Sequence, residues 1–487
     1  MINDGLYWAE QLKTRKISFS EYVQELEQRI NDYNPTLNAL VTFEKQAAIE
    51  QYEQTEGLEQ TLFGGLPIPL KMLGHSKKGW LSTSGSRLFE TQRSQSTSHF
   101  VQRIEQNGLI PIGQTAAPEF GFKNVTDAQI YGHTRNPWNV TCSSGGSSGG
   151  AAAAVASGMF PIATASDGGG SIRIPASFNG LIGLKPTRGT MPVGPSGWRG
   201  WQGASISFAL TVSMRDTQTL FYAMRGTEAA APYQAPQAEW GHQQASNKKL
   251  KIAFCSTSPV GSNVSQEAEQ AVADAIQFLI AQGHEVVEVP YPVNGASLIR
   301  NYYQMNGAET ASMFDEISTL LQREVTKEDM ELMTWGIYQY GKKLPAASYV
   351  QSLQEWDLAA YQMEQLFESF DLFLSPATAH TAPNIQTDLQ SDTIREKLSR
   401  MEELSTQDAA ETVYEMFEKS LTLSPYTQLA NLTGQPAISL PTHLTKEGMP
   451  LGIQFMASKG REDLLFQVGF AFENQQQFHL PEFYYKK

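Results

Sequence analysis

The 487-residue chain predicts an α/β protein with helices packed on a mainly parallel or mixed sheet. Three observations carry that prediction. A strand–helix–strand pattern runs from Leu250 to Val289. Two glycine clusters near the middle adjoin a helix former and a strand-like run. From about Asn301 to Ser420 helical spacing dominates, which reads as a helical insertion or cap.

Taken in order, residues 1–60 read as a helical N-terminal segment. Ser18 and Glu21 form a capping box, and Val23, Leu26, Ile30 and Tyr33 follow at helical spacing until Asn34-Pro35, where the helix is expected to stop. Lys71 lies in the apolar run Leu66-Pro-Ile-Pro-Leu-Lys-Met-Leu. Residues 143–188 hold the glycine- and serine-rich core, in which Ala151 to Ser157 favours helix and Phe160 to Ala165 a short strand. Thr227 to Lys249, rich in Ala, Pro and Gln, reads as a surface excursion. Leu250, Ile252 and Phe254 alternate as a strand. Ser265 then precedes a helix through Val272, Ile276 and Leu279, Gly283 ends it, and Val286 to Val289 is the next strand. Met and aromatic residues such as Met313, Phe314, Trp335 and Tyr338 read as helical core. No repeat appears at solenoid periods, so residues 1–487 are expected to form one domain.

Composition narrows the function. Thirty-six basic against fifty acidic side chains leave a net charge of −14, without the basic block that nucleic acid or an anionic membrane requires. Cys142 and Cys255 cannot make a disulfide framework and read as small buried residues. Residues 1–13 carry Asp4, Glu10 and Lys13 with no apolar signal core, and Ala151 to Ala165 is too broken to span a membrane. A cytoplasmic setting is the expectation.

The informative stretch is SSGGSSGGAAAAVASGMFPIATASDGGGSIRIPASFNGLIGLKPTR, Ser143 to Arg188. Glycine is costly inside regular elements, so Gly145, Gly146, Gly149, Gly150 and Gly168 to Gly170 point to positive φ or close backbone approach. Ser147 and Ser148 fall at a helix N-terminus, and Ser171 falls just past a strand on a glycine loop, where free N–H groups gather. The phosphate-loop pattern GxxxxGK[ST] is absent. Gly145 to Gly149 does satisfy G-x-S-x-G, but the residues before it are polar and turn-like, not the apolar strand a nucleophile elbow needs. Neither the eight histidines nor the cysteines show metal-ligand spacing.

Set in order along the chain, these pieces resemble the amidase signature family. They are GLPIPLKML (Gly65–Leu73), GQTAAPEFG (Gly113–Gly121), NPWN (Asn136–Asn139), GGSSGG, GGGSIRIP, GLKPTRG (Gly183–Gly189) and NLTGQPAISLP (Asn431–Pro441). The resemblance implies an α/β/α fold around a mixed sheet and a serine–cis-serine–lysine triad. It places the nucleophile on Ser171, the bridging serine on Ser147 and the lysine on Lys71. The oxyanion hole falls on Gly168, Gly169, Gly170 and the Ser171 N–H, with a further substrate contact at Gly121. HTRNPWN, SIRIPAS, KPTRG followed by PVGP, EDMELMTW (Glu328–Trp335) and REDLLFQV (Arg461–Val468) are similar to the branch that hydrolyses 6-aminohexanoate cyclic dimer. Departures from the family pattern are Met72 for an acidic residue, Gln114 and Ala116 for Lys and Asn, and Asn179 for cysteine.

The chemistry suits these residues. A serine hydroxyl needs a base within hydrogen-bond reach. At a pKa of about 10.4, roughly one lysine in 2,500 is neutral at pH 7, and burial in an apolar run raises that fraction. Neutral Lys71 would draw a proton from Ser171 through Ser147, and the reversed relay would protonate the leaving amine. Neither a metal nor an organic cofactor is required. Asp167 and Arg173, beside the nucleophile loop, read as a structural pair. The expected activity is hydrolysis of a non-peptide amide bond in a small molecule, linear or cyclic. A homodimer is the one protein assembly that the resemblance suggests. Two other readings stand beside it: the amidase-type subunit of a glutamine-dependent tRNA amidotransferase, and a non-catalytic ligand-binding relative.

Overall fold

Along the central strands, successive residues enter two different cores. Ile252, Leu372, Leu374, Ile438 and Phe455 join one apolar cluster, while Ala253, Phe373, Ala437 and Met456, their neighbours in sequence, join another. Because side chains alternate along a strand, this sheet is buried on both faces by helices: an α/β/α arrangement.

The computed structural model describes residues 2–235 and 248–485. Among them, eight strands form the central sheet in the order Glu285–Glu288, Lys251–Phe254, Leu372–Pro376, Pro450–Met456, Ala437–Leu444, Ile182–Lys185, Ile206–Thr211 and Ala163–Asp167. The first three are mutually parallel and every later pairing is antiparallel, so the sheet is mixed. Leu66–Lys71 pairs in parallel with Leu109–Thr115, which pairs antiparallel with Leu40–Phe43, in a separate three-stranded sheet. Thr164 ties the two sheets together. Its hydroxyl accepts from the Lys71 N–H at 2.8 Å and donates to the Pro69 carbonyl at 3.3 Å.

The strand–helix–strand expectation holds. Lys251–Phe254 and Glu285–Glu288 are parallel neighbours, and the helix between them, Gln266–Ala281, is capped by Ser265, with Gly283 at φ +82° beyond its end. The N-terminal capping box is present as well, but the helix does not stop at Asn34-Pro35. It runs Phe19–Leu37 and ends on Asn38 in the left-handed region. Pro35 lies in the last turn, where little helix remains for its ring and missing N–H to disrupt. The Asn34 carboxamide oxygen then accepts from the N–H groups of Ala39 and Leu40, turning the chain into the next strand.

Two other expectations need correction. The stretch 301–420 holds the helices Gly295–Leu321, Leu332–Lys342, Ala346–Ser369, Asp392–Ser399 and Thr406–Leu423, yet the central strand Leu372–Pro376 interrupts it. That strand's Leu372-Phe-Leu run alternates between the two cores, a two-residue period too short to register against the helices around it. Cys255 is buried, but Cys142 is only half-buried, on a short two-stranded hairpin. Residues 236–247 of the expected surface excursion lie outside the described residues. None of the described helices is long and apolar enough to cross a membrane.

Candidate active site

Lys71 ends its strand with no exposed surface, against the edge strand Ala163–Asp167. Its Nζ donates to Ser147 Oγ at 2.9 Å, to Ser166 Oγ at 2.9 Å and to the Ser166 carbonyl at 3.2 Å. Burial pulls its pKa down to about 7, partly opposed by the Asp167 carboxylate. Lys185 is also fully buried and held far below the usual lysine range, but its Nζ donates to the Pro186 carbonyl and meets no hydroxyl. Of these two buried lysines, Lys71 is therefore the one joined to a serine.

Ser147 and Ser148 precede the helix Gly149–Ala156, and the Gly146–Ser147 peptide is cis. Gly146 lets the backbone pass Val125, since a Cβ there would lie 2.7 Å from Val125 backbone atoms. Asn179, fully buried, braces the same turn. Its carboxamide donates to the Ser144 and Pro175 carbonyls and accepts from Ser144 Oγ.

Ser171 sits between the strand Ala163–Asp167 and the helix Arg173–Asn179. The loop is fixed from one side by Asp167, which receives the N–H groups of Gly170 at 2.6 Å and Ile172 at 3.2 Å. Burial alone would raise the Asp167 pKa, but Arg173, Asn431 and Lys185 hold it down to about 2. Arg173 pairs with both Asp167 oxygens and also donates to Gln454 and Asn431. These contacts match the expected structural pair.

The loop's carbonyls are also taken. Asp167 O accepts from Asn431, Gly168 O from the Tyr302 hydroxyl at 3.1 Å, and Gly169 O from Thr427 at 2.8 Å. In a trans peptide the N–H points opposite to the C=O, so each of these bonds sets the direction of the following N–H. The Gly170 N–H, expected in the oxyanion hole, is spent on Asp167. The N–H groups of Gly168, Gly169 and Ser171 have no partner among the described residues. Gly121, at φ +75°, passes close to Ser147, where a Cβ would lie 3.3 Å from its Oγ. Its own N–H is bound to the Pro118 carbonyl, so any substrate contact would use its carbonyl.

Ser147, Ser171, Gly121, Gly168 and Gly169 all line one cavity of about 450 Å³. Its other walls are largely aromatic and aliphatic, with Phe120, Trp201 and Phe417 among them, and one face of the helix Gly295–Leu321 runs along it. Of that face (Tyr302, Asn306, Thr310 and Met313, with Glu309 between) the sequence singled out only Met313, as helical core, whereas the structure places it on the cavity wall. A period of three to four residues marks a helix face, but cannot say whether the face meets a core or a cavity. Ser166 was missed too, because nothing sets it apart from Thr164 and Asp167, the other polar residues of its strand. Met72 and Ala116 lie buried outside the cavity lining.

A family model described as Amidase matches residues 21–466. The chain belongs to the amidase family. It is 37% identical to a lipoamidase of Enterococcus faecalis over 478 residues, which is 98% of this chain but only 64% of that protein's length. It is 30% identical to a 6-aminohexanoate-cyclic-dimer hydrolase of Paenarthrobacter ureafaciens, covering 96% of this chain and 93% of the relative. The solved structure of 6-aminohexanoate cyclic dimer hydrolase complexed with substrate superposes at a TM-score of 0.89 and 29% identity, over 99% of this chain and 98% of that one. A bacterial aryl acylamidase of the amidase signature family shares the fold at a TM-score of 0.82 and 23% identity. The sequence motifs thus pointed to the right family and to the cyclic dimer hydrolases, while nothing in them pointed to the lipoamidase.

Proposed function

We propose that this amidase-family protein hydrolyses the C–N bond of a small-molecule amide, linear or cyclic, through Ser171, Ser147 and Lys71. The observation that carries the reading is the fully buried Lys71 Nζ at 2.9 Å from Ser147 Oγ, on the wall of the cavity that Ser171 also lines. With a pKa of about 7, Lys71 is neutral in a large fraction of molecules at neutral pH and can accept a proton.

Neutral Lys71 takes the Ser147 proton as Ser147 takes that of Ser171, and Ser171 Oγ bonds to the amide carbonyl carbon. The charge that develops on the carbonyl oxygen is met by the unpartnered N–H groups of the 168–171 loop, each donor contributing roughly 3–4 kcal/mol in comparable sites. The proton returns by the same path to the amine nitrogen as the C–N bond breaks. Water then attacks the ester on Ser171, with Lys71 again the base, releasing the carboxylate.

The test is mass spectrometry of the purified protein with a panel of amides: 6-aminohexanoate cyclic dimer, lipoamide, simple aliphatic and aryl amides, and glutamine. Products that form with the wild type and vanish in Ser171→Ala support the reading. Glutaminase activity alone would favour an amidotransferase subunit, and no turnover with an unreactive Ser171 would favour a binding protein.

A further inference from the structure

Four buried polar oxygens along the cavity have no hydrogen-bond partner in the protein: Asn306 Oδ1, Thr310 Oγ1, Asn124 Oδ1 and Gln428 Oε1. Asn306 and Thr310 are themselves almost wholly buried, at 4% and 2% exposure. Buried polar atoms are rarely left unpaired, so four of them on residues lining one cavity, two on the same helix, mark a place where something else supplies the bonds. Three of the four are carboxamide oxygens, which only accept, and neighbouring groups fix their orientation. The Asn124 NH2 donates to the Ser420 carbonyl and Ser424 Oγ, and the Gln428 NH2 donates to the Ser424 carbonyl. Asn306 lies beside the Tyr302 hydroxyl, with its Oδ1 the atom left unpaired. In each case the oxygen is the end left over.

We infer that these oxygens form a subsite for an N–H group on the substrate, carried beyond the scissile bond. The inference rests on the cavity being the amide-hydrolysing site proposed above. Position follows from the helix. Tyr302 holds the Gly168 carbonyl of the nucleophile loop, Asn306 is one turn further on and Thr310 two. At 1.5 Å of rise per residue, the subsite lies about 6–12 Å along the helix axis from Tyr302. An N–H group separated from the scissile carbonyl by five methylenes falls in that range. Glu309, on the same wall, accepts from Gln202 and Tyr349 and has no basic partner among the described residues, so the subsite suits a neutral or cationic donor and opposes a carboxylate. A hydrocarbon chain laid beside these oxygens leaves them unpaired, whereas an N–H group that reaches them supplies the missing bond, a difference of about tenfold or more in favour of the donor-bearing substrate.

The test compares p-nitroanilides of three acids: 6-acetamidohexanoic, 6-aminohexanoic and nonanoic, the last placing methylenes where the first has its amide. The wild type is expected to favour the first two over the third by at least tenfold in kcat/KM. In Asn306→Leu and Thr310→Val that ratio should fall toward one. A ratio is the right readout, because any disturbance of the nucleophile loop through Tyr302 affects all three anilides alike. The acetamido and amino compounds separate an amide N–H from an ammonium as the preferred donor. Calorimetric titration of Ser171→Ala with the three corresponding primary amides reads the same preference without turnover. Preference in binding without hydrolysis would overturn the proposed reaction and support the subsite. Hydrolysis with the nonanoyl compound equal or preferred, or a ratio that neither substitution changes, would overturn the subsite and leave the reaction standing.

Discussion

Arg173 and Asp167 meet as a two-pronged ion pair from which solvent is fully excluded, Nε to Oδ2 at 2.9 Å and Nη2 to Oδ1 at 3.0 Å. The same carboxylate holds the N–H groups of Gly170 and Ile172 on either side of Ser171, so this pair fixes the loop that carries Ser171. Removing one partner strands a buried charge. Arg173→Leu should therefore lower stability by about 3–5 kcal/mol in urea titrations. Asp167→Asn should cost a similar amount and slow any turnover, because the loop loses its anchor.

Lys71 makes two pH predictions. Activity should rise with pH through a midpoint near 7, where its ammonium loses the proton, and should vanish in Lys71→Met and Lys71→Arg, the latter never neutral at these pH values. Stability should shift too. Below about pH 7 the lysine is protonated in both the folded and unfolded chain and its burial is fully unfavourable. Between about 7 and its unperturbed 10.5 only the unfolded chain holds the proton, so raising the pH favours the fold. Wild-type stability should thus climb relative to Lys71→Met across that window, by a total on the order of 5 kcal/mol. Denaturant midpoints of the two proteins at pH 7, 8 and 9 measure it.

Gly169 leaves room for Tyr302. A Cβ at residue 169 would lie 2.5 Å from the Tyr302 hydroxyl oxygen and 3.1 Å from its Cζ. Gly169→Ala should cut activity by at least tenfold, and Tyr302→Phe, which deletes the bond to the Gly168 carbonyl, should cut it less. The double variant should be more active than Gly169→Ala alone, because the clashing oxygen is gone. Steady-state rates for the four proteins form the cycle that reads this coupling.

Glu119 is a buried carboxyl whose pKa is raised by burial, against bonds from Thr334, Ser86 and the Glu331 N–H. It joins the segment before Gly121 to the helix Leu332–Lys342. Glu119→Gln leaves one oxygen to accept from the Glu331 N–H and Thr334 while its NH2 donates to Ser86 Oγ, and should change the melting midpoint little, whereas Glu119→Ala should cost about 1–3 kcal/mol by leaving those donors unmet.

Much of this site was legible because its parts are local. The glycines around Ser147 and those before Ser171 mark sharp turns, Ala151 to Ala156 marks the helix that Ser148 precedes, and the apolar run around Lys71 announces burial. What sequence reasoning could not supply are meetings across long separations. Lys71 reaches Ser166 because a separate three-stranded sheet abuts the central one, and no periodicity reports that. Tyr302, Thr427 and Asn431 bind carbonyls of one loop from more than a hundred residues away. The Gly170 N–H belongs to Asp167, which only the fold reveals.

The most direct test of the account is mass spectrometry of the protein treated with a fluorophosphonate, an electrophile that labels an activated serine. The account predicts one adduct, on the peptide carrying Ser171. Its rate of formation should rise with pH through about 7, and the adduct should be absent in Ser171→Ala and at least a hundredfold slower to form in Lys71→Met. An adduct on another serine, or labelling of Ser171 that Lys71→Met leaves untouched, would contradict it.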